Sequence, residues 1–170
     1  MTKASFVFLS GPRSLFNPRR IADDLQDDLA AHGYEISQIW MPFRSISIRK
    51  NALHDFLRRN HQKQFHFVMA RKTWFEFEGV LSSRKNQVAS LSLIQGLNCS
   101  TNLSPALFPI HFFEVQKINF FKTPISYHLH QLFCFLFASQ SLDYCETLQK
   151  PDQKIFDRFL DHSIELAENE

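Results

Sequence analysis

Glycine is scarce in this chain, with four residues in 170. An all-β fold needs turn residues every few positions, so that scarcity argues against one. No glycine belongs to a G-x-G-x-x-G or G-x-x-x-x-G-K-[ST] pattern, so the phosphate cradles of Rossmann dinucleotide-binding proteins and P-loop enzymes are missing. Cysteine is scarce too. Cys99, Cys134 and Cys145 are odd in number and scattered, which fits neither a disulfide framework nor a zinc pattern and suits a reducing compartment. The sequence has no H-E-x-x-H, and His128 and His130 are two apart, a spacing that turns them to different sides of a helix. No metal and no cofactor are therefore expected. Long apolar runs are lacking: the stretch from Leu132 to Ala138 falls far short of the ~20 residues of a spanning helix. The run from Phe6 to Leu9 is too short for the core of a signal peptide. The expectation is a cytoplasmic protein without a transmembrane segment. An excess of one charge is also lacking. Nineteen Lys and Arg face seventeen Asp and Glu, a net charge of +2, which argues against a nucleic-acid partner.

What the chain does have is apolar mass. Hydrophobic residues make up 44% of it and Phe alone contributes 19, so disorder is excluded for most of its length. A chain of this size buries about 70% of its unfolded surface and needs no staple, and residues 1–170 are expected to form a single domain. Ser5 to Ser10 is a short apolar run ended by Gly11-Pro12. Asn17-Pro18 then offers a helix N-cap, and Ile21, Leu25 and Leu29 form one apolar stripe before Gly33, a helix-ending residue. Residues 34–40 are the next strand. Leu53, Phe56 and Leu57 predict a helix over 49–60, and 65–70 a strand. Trp74, Phe77 and Leu81 predict a helix over 72–84, and 88–94 reads as a fourth strand, with Ala89, Leu91 and Leu93 alternating against Ser90 and Ser92. Strands alternating with helices predict an α/β fold: a three-layer domain with a mostly parallel central sheet of about five strands and helices on both faces.

After Gly96 the character changes. Residues 98–138 read as a loop followed by a Phe-rich stretch that packs on the sheet, with a strand near 118–121 and a helix near 125–139. That stretch either fills the core or forms an apolar surface for a homodimer or a lipid contact. Pro151 to Glu168 reads as an amphipathic C-terminal helix carrying Ile155, Phe159 and Ile164.

In parallel sheets ligands bind beyond the carboxyl ends of the strands. The turns expected there hold Ser10, Gly11 and Arg13, then Arg44, then Arg71 and Lys72. Three arginines on one rim suit a small anionic or acyl ligand, or else are separately solvated side chains. Arg71 is the sharpest case. A cation at a helix N-terminus is electrostatically misplaced, so it either reaches a carboxylate or helps hold an anion. No catalytic residue is assigned.

The order of elements over the first 100 residues resembles the N-terminal half of α/β-hydrolases, particularly bacterial triacylglycerol-lipase-like proteins. Val7-Phe8-Leu9-Ser10-Gly11 resembles their strand ending in a His-Gly oxyanion turn, with Ser10 in place of His. Residues 21–33 and Gly33-Tyr34-Glu35-Ile36 resemble the following helix and G-Y-x-V strand. Phe65-His66-Phe67-Val68 resembles the strand before the nucleophile elbow, and Val88 to Ile94 the strand after the nucleophile helix. The catalytic positions depart from the pattern. Where G-x-S-x-G would lift a serine off the sheet, this chain reads Met69-Ala70-Arg71-Lys72-Thr73. Asp143 and His162 follow in the order Asp…His but have no nucleophile to activate. The resemblance thus implies a catalytically degenerate hydrolase-like protein with a binding or regulatory role, the alternative being an esterase with an unconventional nucleophile. The opening run with Gly33-Tyr34-Glu35-Ile36 also resembles nucleoside deoxyribosyltransferase-like and TIR-like domains, which would make Glu76 or Glu78 an N-glycosidic-bond-cleaving carboxylate.

Overall fold

The computed structural model describes residues 4–10, 21–40, 46–96, 108–115 and 153–168. Five strands run in them: β1 (Ser5–Ser10), β2 (Glu35–Trp40), β3 (Phe65–Ala70), β4 (Val88–Gly96) and β5 (Ile110–Val115). Four helices accompany these: α1 (Ile21–Ala31), α2 (Ile46–Arg59), α3 (Arg71–Ser83) and α4 (Gln153–Glu168). The sheet order is β2-β1-β3-β4-β5 and every neighbouring pair is parallel.

That order dictates where the helices go. The step from β1 to β2 moves one way along the sheet, and the later steps move the other way. Crossovers of one hand therefore put α1 on one face and α2 and α3 on the opposite face. The two cores agree. Val7, Leu9, Phe67, Met69, Leu91 and Leu93 pack with Leu53 and Leu57 of α2 and with Trp74, Phe77 and Leu81 of α3. Phe6, Phe8, Val68 and Ile94 pack with Leu25 and Leu29 of α1 and with Leu160, Ile164 and Ala167 of α4. Burial on both faces explains why β1 and β3 read as near-continuous apolar runs.

Local signals stop the helices. Gly33 has φ 84°, the left-handed conformation that favours glycine. Its N–H donates to the Ala30 carbonyl at 2.9 Å and the Tyr34 N–H to the Leu29 carbonyl at 3.2 Å, a Schellman motif that ends α1. Buried Gln87 donates through Nε2 to the carbonyls of Leu57 and Asn60, both at 2.9 Å, and so satisfies the end of α2. At the amino-terminal edge of the sheet, Glu35 accepts from Lys63 at 2.8 Å and from Ser5 at 2.8 Å. The Lys63 bond, then the Ser5 bond, holds the Glu35 carboxyl below its ordinary value.

Two features differ from the sequence reading. The alternation of β4 is broken at its start: Phe65 pairs with Val88 but His66 pairs with Ser90, so Ala89 is an extra residue. The bulge places Leu91 and Leu93 on the α2–α3 face and Ser90 and Ser92, both buried, on the other. The serine side is thus an internal polar strip rather than a solvated face. The second feature is β5. It begins inside the Phe-rich stretch and joins the sheet beside β4, so this part of the stretch is a strand of the sheet. Residues 118–121 and 125–139 lie outside the described residues.

Phe67 is fully buried between β3 and the α2–α3 layer. Phe67→Ala should lower unfolding free energy by about 3–5 kcal/mol in urea denaturation, from lost transfer free energy plus the cavity left behind.

Candidate functional site

A doubly wound sheet leaves a crevice where its strand order reverses, here between the carboxyl ends of β1 and β3. The two strands pair up to Leu9 and Met69, so Ser10 and Ala70 end side by side. β3 passes into α3 without an intervening residue: Ala70 is the last strand residue and Arg71 the first helical one. Three site candidates meet here by backbone position, namely Ser10, Arg71 and Lys72. Gly11, Arg13 and Arg44 lie outside the described residues, as does Asp143.

The first turn of α3 holds two unsatisfied groups. Thr73 is 1% exposed and Trp74 2% exposed, and among the described residues neither the Thr73 Oγ1 nor the Trp74 Nε1 has a hydrogen-bond partner. Nearly all buried polar groups are paired, because desolvating one without compensation costs about 1–3 kcal/mol. Trp74 stacks edge-on against Phe108 with centroids 5.9 Å apart, which fixes the indole by packing rather than by its N–H. An indole N–H can only donate, and a threonine hydroxyl can donate or accept.

One turn further along α3, Glu76 meets Arg49 of α2. The guanidinium Nε donates to Glu76 Oε1 at 2.6 Å and its Nη2 to Oε2 at 3.0 Å. The fork is almost dry, Arg49 being 3% and Glu76 10% exposed. Thr73 and Glu76 are three apart and share the row that α3 turns toward α2. The pair therefore pins the first turn of α2 to the second turn of α3. A bidentate arginine gives that contact a fixed geometry, which lysine would not. It also engages both oxygens of Glu76.

The sequence reading missed Arg49, yet a signal was present. Arg49, Leu53 and Leu57 are four apart in succession, so the arginine occupies a position of the apolar stripe. A charge in such a stripe demands a buried partner. The helix begins at Ile46, three residues before the expected start at 49, so Arg49 lies within its first turn rather than at its end.

Among the described residues no group of three or more His, Cys, Asp or Glu is arranged to hold a metal ion. No helix among them is long and apolar enough to cross a membrane. No protein-family model matches the chain, and no curated protein matches it.

Arg49→Met should cost about 3–5 kcal/mol in urea, because it strands the Glu76 carboxylate in a dry site. Arg49→Met with Glu76→Leu should recover most of that loss, since replacing both partners of a buried pair by apolar groups is often neutral.

Proposed function

We propose that this protein binds a small anionic ligand, a carboxylate or a phosphate ester, at the carboxyl ends of β1 and β3, on a hydrolase-like core without a serine nucleophile. The observation that carries this reading is the unpartnered, fully buried Thr73 hydroxyl in the first turn of a helix that starts directly at the end of β3. A helix N-terminus favours negative charge, and a hydroxyl there can donate to an oxygen of the ligand. Arg71 and Lys72, the first two residues of α3, add positive charge at the same place. The lipase-like ancestry rests on the element order and on the strand-to-helix turn at Ala70-Arg71, where the hydrolase pattern carries serine.

The glycosidic-bond reading has less support. It needs a carboxylate free to attack, and Glu76 has both oxygens engaged by Arg49. Glu78 remains, half-buried, two residues further on.

Thermal shift and probe labelling test the proposal together. Phosphate, sulfate or acetate in low-salt buffer should raise Tm. Saturation at 100 times Kd corresponds to about 2.7 kcal/mol. Arg71→Ala should leave the unliganded Tm nearly unchanged and lose the shift. Thr73→Val should equal or exceed the unliganded wild type by up to about 1 kcal/mol, because it removes an unsatisfied buried hydroxyl, and should also lose the shift. A fluorophosphonate probe should label no serine, and short-chain p-nitrophenyl esters should not be hydrolysed. A labelled serine would revive the unconventional esterase, and the absence of any anion shift would end the binding proposal.

A further inference from the structure

The polar strip on the far face of the sheet ends in an unusual contact. His111 of β5 and His162 of α4 meet ring to ring, with His111 Nδ1 and His162 Nε2 3.0 Å apart and centroids 4.4 Å apart. A nitrogen–nitrogen contact at that distance needs one proton between the two rings. One nitrogen donates and the other accepts. Two neutral rings satisfy this, and so does a singly protonated pair. A doubly protonated pair does not, because two N–H groups would then point at each other.

The surroundings make even the first proton unwelcome. The outward Nε2 of His111 is buried and has no partner. It is tolerable as a bare acceptor and costly as an N–H. When His111 donates from Nδ1, Nε2 is bare; when it accepts there, Nε2 must carry the hydrogen. On β3, His66 stacks on Phe6 at 5.0 Å and shares a hydrogen bond with Ser90 at 2.8 Å. β4 contributes only Ser90 and Ser92 to the strip. On α4, Glu165 lies 3.8 Å from His162 Nδ1, and it is 71% exposed and therefore screened. The charges that bear on His111 are those of His162 and His66, both of which repel a proton. Burial first, and those two rings second, hold His111 below the ordinary 6.5.

The contact matters because of what α4 covers. Its partly buried residues Leu160, Ile164 and Ala167 pack on the second core of Phe6, Phe8, Leu25 and Leu29, and Ser163 beside them is buried. We propose that the His111–His162 contact is an acid-sensitive latch: at neutral pH it fixes α4 to β5, and acidification releases α4 from the sheet and exposes the apolar face beneath it. This is independent of the anion site proposed at the carboxyl ends of β1 and β3.

The direction with pH follows from the sign of the shift. A histidine whose folded pKa is depressed contributes stability that is complete above its unfolded value, about 6.5, and is lost as pH falls below it. Hydrogen exchange read by mass spectrometry at pH 7.5 and 5.5, corrected for intrinsic rates, tests the latch on the full chain. Peptides from 153–168 should lose protection by about tenfold, while peptides from β1 and β3 hold theirs. His111→Leu with His162→Leu should abolish the step. Should that variant not fold, His162→Gln keeps a hydrogen-bonding partner without a second titrating ring and should cut the step by at least about half. Loss of protection in α4 and the sheet together would mean global acid unfolding and would overturn the proposal. So would a pH-independent α4, a step that survives in the double leucine variant, or a step left undiminished by His162→Gln.

Discussion

A parallel sheet cannot leave a face to water, because each crossover returns over one face or the other and the strands are apolar on both sides. Everything positioned in this protein depends on that constraint together with the reversal of strand order at β1. The reversal sends α1 to one face and α2 and α3 to the other, and it makes the carboxyl ends of β1 and β3 the switch point of the sheet. The absence of any residue between Ala70 and Arg71 then brings the start of α3 to that switch point. The buried fork between Arg49 and Glu76 fixes α3 against α2. The polar burden of the interior is thereby split. One face carries an ion pair that holds two helices together, and the other carries a strip of serines and histidines under α4.

The two polar sites differ in how they meet the cost of burial. Arg49 and Glu76 satisfy each other through two charge-assisted bonds, so their energetic role is mutual and static. The Thr73 hydroxyl and the Trp74 indole N–H have no hydrogen-bond partner among the described residues. Such groups are rare and usually mark something that fits against them or a reservoir of strain. Their place beside a helix N-terminus at a switch point favours the first of these. The His111–His162 contact is conditional, satisfied in some protonation states and not in others.

Much of the fold was legible because both periodicities are clean where the chain is buried. The bounds expected for β1 and β3 match those found, and Trp74, Phe77 and Leu81 lie inside as their spacing requires. The fifth strand was not legible. Ile110, Phe112, Phe113 and Val115 do not alternate with polar residues, so the segment merges with the phenylalanines around it. The bulge at Ala89 is invisible in sequence because it depends on the register with β3. The candidate site was legible only as a place. Ser10, Arg71 and Lys72 follow from strand ends, but Arg49 and Glu76 are 27 residues apart and His111 and His162 are 51 apart. Nothing local couples either pair; the topology brings them together.

The most direct measurement is a phosphate titration followed by amide chemical shifts at low ionic strength. An anion seated at the β1–β3 crevice should move the amides of residues 71–74 and the end of β1 together, along one saturating curve. Shifts that never saturate and scatter over exposed lysines and arginines, or that gather at the amino-terminal edge around Glu35 and Lys63, would contradict an anion site at the switch point.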